Sequence, residues 1–131
     1  MKKGLKLSVL MLLVTFMLSF TTTALAQASK KSTDVKMSVE EIFYVVNLLQ
    51  RIEISGNEVT PFLAIFNKLK GKTKDAVEKK LKASDKMNVR LNVTELRNFL
   101  LFMQRTKIVG AEAGKFKGVA QKVINGIKKL S

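Results

Sequence analysis

Two matched pairs of glutamates have the residue type and the spacing that acid–base catalysis could use. Glu41 with Glu95, and Glu58 with Glu112, each lie 54 positions apart, and a pair of carboxylates can act as general acid and base. Glu41 and Glu95 also stand three positions after a predicted helix cap, where a glutamate closes a capping box. Glu58 and Glu112 begin a predicted helix, where negative charge is favourable. These structural roles are ordinary, so we predict that the protein is not an enzyme.

The composition removes most other chemistry, because the chain has no histidine, no cysteine and no tryptophan. The usual proton carrier near neutral pH, thiol chemistry and most zinc or transition-metal ligand sets are therefore excluded. The segments 53–58 and 107–112 also lack the alternating oxygen ligands of a calcium-binding hand. The sequence predicts no metal and no cofactor.

The four glutamates belong to an internal repeat with a period of 54 residues. Residues 35–68 and 89–122 share ten identical positions without a gap, where about two are expected between unrelated segments. Each of the identical residues has its counterpart 54 positions later: Val35, Val39, Glu41, Gln50, Arg51, Ile54, Gly56, Glu58, Phe62 and Lys68. The repeat predicts that two similar substructures pack together about a pseudo-twofold axis.

Each copy begins with a short stretch in which apolar and polar residues alternate, around Val35 and Val89. Such alternation predicts extended chain, and the two leads could pair as a small ribbon or lie over the core. Ser38 and Asn92 then have the spacing of N-caps for a first helix.

Glycine and proline mark the loop that follows the first helix in each copy. Gly56 and Gly110 stand where a left-handed cap would end that helix. Pro61 is predicted at the first position of the second helix, with Thr60 as its cap.

These elements predict an all-α fold, in which two tandem helical hairpins with short extended leads pack as a small four-helix bundle. The single helical domain spans residues 35–131, with repeat 1 at 35–70 and repeat 2 at 89–131. Apolar residues in the linker at 71–88 have helical spacing, which makes a short linker helix a further candidate.

The first 26 residues have the pattern of an export signal. Three lysines precede an apolar run at residues 7–20, and Ala24 and Ala26 supply the small residues that a signal peptidase reads. A spanning helix needs about 20 apolar residues, so a cleavable signal peptide at 1–26 is predicted rather than a membrane anchor.

A second cut after Ala28 leaves the exact cleavage position open. Residues 27–34 are polar and rich in lysine, and we interpret them as a flexible leader. The processed protein is predicted to be periplasmic or secreted.

The charge of the processed chain is strongly positive. Without Lys2, Lys3 and Lys6 there remain 21 basic against 10 acidic residues, a net charge of about +11. Such a balance favours contact with polyanions. Only four of the 24 basic residues are arginine, the usual reader of base edges, so sequence-specific nucleic-acid recognition is not predicted.

Candidate interaction residues form two groups. Gln50, Arg51, Gln104 and Arg105 close the first helix of each copy. The two arginines either meet helix carbonyls, together with Glu58 or Glu112 across the loop, or make two equivalent binding spots. The second group consists of lysines predicted to lie away from the core: Lys79, Lys80, Lys82, Lys122, Lys128 and Lys129.

The function predicted from these features is that of a small exported, non-enzymatic interaction or structural module with an unknown protein partner. The alternative is a basic binder of polyanions or anionic membrane surfaces. The cationic amphipathic run at 115–130 suits either core packing or a membrane surface.

Overall fold

Residues 31–131 are described by the computed structural model of the protein. The predicted signal peptide at 1–26, and the predicted leader up to residue 30, lie outside the described residues. Six elements follow in order: β1 (Ser32–Ser38), α1 (Val39–Leu49), α2 (Val59–Glu78), β2 (Lys86–Asn92), α3 (Val93–Gln104) and α4 (Ala113–Leu130). Short 3-10 turns at Gly56–Glu58 and Gly110–Glu112 lead into α2 and α4.

The all-α prediction is wrong, because the two leads are full strands that pair as an antiparallel sheet. The described residues are 66% helical and 14% strand. Val35 and Met37 are buried under the sheet while Lys36 between them is exposed, and β2 repeats this alternation. Each strand supplies the backbone hydrogen bonds that the other lacks, and β1 takes in the last residues of the predicted leader.

The register of the sheet reveals how the two repeats are related. Val35 lies opposite Val89, which is its own counterpart 54 residues later. A residue that pairs with its own counterpart lies beside the axis that relates the copies. The two-stranded ribbon is therefore shared between the repeats and spans a pseudo-twofold axis.

The predicted capping boxes of α1 and α3 are confirmed. The Glu41 amide donates to Ser38 Oγ at 3.1 Å, and the Ser38 amide donates to Glu41 Oε2 at 2.9 Å. Asn92 and Glu95 make the same two bonds at 2.8 and 3.0 Å. These bonds satisfy amides that a helix start leaves without intrahelical partners.

The glycine caps were predicted wrongly. None of the glycines in residues 31–131 has a positive φ, and Gly56 and Gly110 instead begin the 3-10 turns. Helix α1 ends at Leu49, well before the glycine. Pro61 occupies the third position of α2 rather than the first, which is tolerated because amides of the first turn have no intrahelical partner.

No separate linker helix exists in the described chain, because α2 continues to Glu78. The connector between the repeats is Lys79–Asp85. Lys80 has a φ of 53°, and the amides of Lys80 and Leu81 donate to the carbonyls of Val77 and Ala76 at 3.1 and 2.9 Å. These two bonds form a Schellman motif, with lysine in the left-handed position that glycine usually occupies.

The connector also closes the start of α1. The amide of Val39 donates to the carbonyl of Asp85 at 2.9 Å, and the amide of Glu40 donates to that of Ala83 at 3.0 Å. Together with Ser38, these carbonyls satisfy the first amides of the helix. The segment that enters repeat 2 therefore completes a helix of repeat 1.

The core lies between the ribbon and the four helices. Its largest fully buried side chains come from both repeats: Phe99, Met37, Ile42, Leu48, Leu49, Ile65, Leu69, Leu91, Leu96 and Met103. Helix α4 approaches β1 closely at the buried Gly126, where an added Cβ would lie 3.3 Å from both Leu96 methyls and 3.4 Å from Val35 Cγ2. The counterpart of Gly126 in α2 is Lys72, so this close approach is particular to α4.

Replacing Gly126 with Ala should destabilise the fold by about 1 kcal/mol or more, because Leu96 and Val35 are buried and cannot yield freely. Gly118→Ala is the matched control in the same helix, since nothing lies within 4 Å of its Cβ position. That change should stabilise by about 0.4–1 kcal/mol. Chemical denaturation of both variants measures the difference, and equal stabilities would contradict the close packing.

Replacing Lys80 with Gly should stabilise the fold by about 1 kcal/mol, because glycine enters the left-handed region without the steric cost that a side chain meets. Lys79→Gly is the control, since Lys79 has a φ of −85° and glycine there only adds freedom to the unfolded chain. Thermal melts should therefore move in opposite directions. A Lys80→Gly variant that melts below the wild type would contradict the motif.

Candidate functional site

The two repeated arginines bind glutamates of the opposite repeat. Arg51 Nη2 donates to Glu112 Oε1 at 3.2 Å. Arg105 Nη1 donates to Glu58 Oε2 at 2.8 Å, and its Nη2 bonds the other oxygen of the same carboxylate. We call these contacts crossed ion pairs, because each joins repeat 1 to repeat 2.

Each of these glutamates also closes the turn in which it lies. The amide of Ser55 donates to Glu58 Oε2 at 2.9 Å, and the amide of Val109 donates to Glu112 Oε2 at 3.1 Å. A carboxylate held by its own turn presents a fixed partner to the arginine. The same carboxylate therefore holds its own turn in shape and binds the arginine of the opposite repeat.

These bonds favour the ionised carboxylates. The Arg105 guanidinium, followed by the Ser55 amide, lowers the pKa of Glu58 from 4.5 to about 2. The bond from the Val109 amide lowers the pKa of Glu112, and the bond from Arg51 lowers it further. These effects outweigh desolvation, which raises that pKa. A general acid at neutral pH needs a raised pKa, so both shifts run against that role.

A second set of crossed ion pairs involves the capping-box glutamates. Lys122 Nζ donates to Glu41 Oε2 at 2.6 Å, and its counterpart Lys68 donates to Glu95 Oε2 at 2.8 Å and to the Arg90 carbonyl at 3.1 Å. Lys122 is half-buried in this contact. It was predicted among the lysines facing away from the core, and the structure instead ties it to the other repeat.

The pKa of Glu41 follows from the same contacts. Burial favours its protonated form, but the bonds from Lys122 and from the Ser38 amide outweigh this effect and lower the pKa. All four glutamates that could have served as acid and base are therefore held by a backbone amide and a basic side chain.

An open cleft of about 510 Å³ lies where the arginines of the two repeats meet. It is lined by Arg51, Glu53, Arg105 and Lys107, which are two pairs of counterparts. The arginines remain about half exposed although each binds a glutamate. The candidates Gln50 and Gln104 are exposed at the helix ends beside them.

The remaining candidate lysines are exposed. Lys79, Lys80 and Lys82 lie on the connector, and Lys128 and Lys129 lie in the last turn of α4. Within residues 31–131 none of the five is in an ion pair, whereas seven of the ten acidic residues are. These five lysines are therefore part of the unpaired positive charge on the described surface, which other basic side chains such as Lys36, Lys72 and Lys117 share.

The apolar face of α4 packs into the core. Val119 and Val123 are fully buried, and Phe116 and Ile127 pack against them. None of the helices between residues 31 and 131 is long and apolar enough to cross a membrane.

Helix α2 carries an exposed apolar surface that was not predicted from the sequence. Val59 and Leu63, one turn apart, are 40% and 43% exposed. Phe66, one turn further on, is half-buried, stacks on Phe62 at 5.5 Å and has Lys70 Nζ 5.9 Å from its ring centre. We call Val59, Leu63 and Phe66 the α2 patch.

The repeat supplies a comparison for this surface. The counterparts of the α2 patch in α4 are Ala113, Lys117 and Ala120. The corresponding helix therefore folds with small or charged residues at these positions. Comparing exposed positions between the copies was the signal that could have found the patch.

No protein-family model, no curated protein and no solved structure matches this chain. The crossed ion pairs, the exposed lysines and the α2 patch are therefore the features of the described residues that bear on its function.

Replacing Glu58 with Gln should lower the free energy of unfolding at neutral pH. The free energy of unfolding should then fall less steeply for this variant than for the wild type as the pH is lowered. A depressed pKa in the folded state contributes stability above the ordinary value of 4.5, and this stability is lost as the pH falls towards about 2. The curves of Glu58→Gln and the wild type should therefore converge across that window. Denaturation between pH 7 and 2 measures them.

Glu53→Gln is the control for this experiment, because Glu53 forms no ion pair within residues 31–131. As a change at a position without an ion pair, it should leave the stability at pH 7 within about 0.5 kcal/mol of that of the wild type. A Glu58→Gln curve that runs parallel to the wild-type curve would mean that the bond to Arg105 contributes nothing.

Proposed function

We propose that the protein is an exported, non-enzymatic interaction module that binds a protein partner through the α2 patch. Export is supported by the lysines, the apolar run and the small residues of the first 26 positions. The patch is the observation that supports a partner, because it is an exposed apolar surface for which the fold has no evident need.

The absence of catalytic function is supported by the state of the glutamates. Glu41, Glu58 and Glu112 have lowered pKa values and hold amides and basic side chains. Carboxylates committed in this way stabilise turns and the contact between repeats. They are poor proton donors at neutral pH.

The chemistry of the patch indicates the kind of partner. Val59, Leu63 and Phe66 follow helical spacing on one face, and Lys70 and Lys74 continue the same face towards the end of α2. Both lysines are exposed. A partner helix with apolar residues at one end and acidic residues at the other complements this face. Its apolar residues would follow the same helical spacing, and its acidic residues would meet Lys70 and Lys74.

The second candidate function is binding to polyanions or anionic surfaces. It is supported by the exposed lysines of the connector and of the last turn of α4, which face solvent without acidic partners among residues 31–131. Such binding draws its energy from counterion release and weakens steeply with salt. Binding through a few apolar anchors depends far less on salt.

Two variants separate these functions. The patch variant, Val59→Ala with Leu63→Lys, takes the residues of repeat 2 and should abolish capture of the partner from an exported protein fraction. The lysine variant changes Lys79, Lys80, Lys82, Lys128 and Lys129 to Gln and should keep that capture, at both low and high salt. Lys122 stays unchanged because it bonds Glu41.

Both variants change exposed positions, so their unfolding free energies should stay within about 0.5 kcal/mol of the wild type. Heparin and anionic vesicles, tested at two salt concentrations, serve as polyanion probes. If the lysine variant loses the partner and the polyanions while the patch variant keeps them, the second function replaces the first.

A further inference from the structure

We propose that two copies of this chain exchange equivalent repeats and form a domain-swapped dimer. In that dimer, repeat 1 of one chain packs against repeat 2 of the other, and each lobe reproduces the contacts between the repeats of the monomer, while the Lys80 and Leu81 bonds of the connector are given up. The partner is thus a second copy of the same chain. The interface is the one that already joins the repeats within one molecule.

The first support is that the strand pairing lies entirely between repeats. All seven residue pairs of the sheet join β1 to β2, and neither strand pairs within its own repeat. Helix α4 also packs on β1, and α2 packs on α3 and β2. A repeat therefore carries a surface specific for the other repeat, whichever chain supplies it.

The second support is the set of crossed ion pairs. Arg51 with Glu112 and Arg105 with Glu58 join opposite repeats, as do Lys122 with Glu41 and Lys68 with Glu95. Each pair forms equally well between two chains, because both of its residues keep their places in their own repeats. Exchange therefore loses none of these contacts.

The third support is the connector, Lys79–Asp85, the covalent link between the repeats. It turns the chain through Lys80, whose φ of 53° is strained for a residue with a side chain. A short hinge under strain favours exchange, since opening the connector releases Lys80 from that conformation.

The connector sets the concentration at which the swapped dimer competes with the monomer. Within one chain, a short connector holds the second repeat at an effective concentration in the millimolar range. The monomer therefore dominates at micromolar concentration, and the dimer gains when chains refold together at about millimolar concentration. The dimer would present two copies of the exposed surfaces of α2 and α4.

The test uses two full exported chains with reversed charges. The acidic variant carries Arg51→Glu and Arg105→Glu, and the basic variant carries Glu58→Arg and Glu112→Arg. Either monomer alone places like charges at both crossed positions. A swapped heterodimer restores opposite charges at all four contacts, two in each lobe.

The variants are unfolded together, refolded by dilution to micromolar concentration, and weighed by native mass spectrometry. We expect a heterodimer of one acidic and one basic chain that melts above either variant alone. The absence of a heterodimer when the separate variants fold would overturn the proposal.

A matched pair excludes simple attraction between oppositely charged surfaces. Lys74→Glu with Lys128→Glu, mixed with Glu53→Arg and Glu78→Arg, changes the net charges equally but alters no crossed ion pair. At micromolar concentration, where the connector keeps intact contacts within one chain, this pair should stay monomeric, and a heterodimer from it would overturn the proposal.

If neither reversed variant folds alone or in the mixture, the wild-type chain decides. Refolded at about 2 mM, within the millimolar range set by the connector, it should yield a dimer that persists for some time after dilution. The same chain refolded at micromolar concentration should be monomeric. Monomer alone from both refolding conditions would overturn the proposal.

Discussion

The pairing of β1 with β2 is the contact on which the rest of the structure depends. An isolated two-stranded ribbon is marginal in water, and this one is stabilised because Val35, Met37, Val89 and Leu91 are buried against the helices. The two strands come from different repeats, so neither repeat can form the ribbon alone. The helices then pack around a sheet that exists only when both halves are present.

The four repeated glutamates each accept a bond from their own turn or helix start and bind a basic side chain of the opposite repeat. Glu58 and Glu112 each hold an amide of their own turn and an arginine of the opposite repeat, while Glu41 and Glu95 hold an N-cap amide and a lysine. A single carboxylate thus sets the end of a helix and the position of the neighbouring repeat. These bonds leave the surplus lysines as the charge that faces solvent.

The capping boxes were predicted correctly from the sequence, whereas the glycine caps and the contacts between repeats were not. The boxes at Ser38 and Asn92 depend on residues three positions apart, so spacing alone reveals them. Strand pairing and the bond from Arg51 to Glu112 join residues between 48 and 61 positions apart, and the period of the apolar residues along the chain does not assign such contacts. The glycine caps failed because Gly56 begins a turn, whereas Lys80, a residue with no special preference for it, takes the left-handed position.

The crossing of the ion pairs constrains how this chain can change over generations. A charge reversal at Arg51 is matched by a change at Glu112 in the other half, and not by one at Glu58, seven positions away in the same half. The crossed ion pairs therefore couple substitutions in one half of the chain to substitutions in the other. In aligned descendants, covariation should join position 51 to 112 and position 105 to 58, which distinguishes the crossed arrangement from one in which each copy folds upon itself.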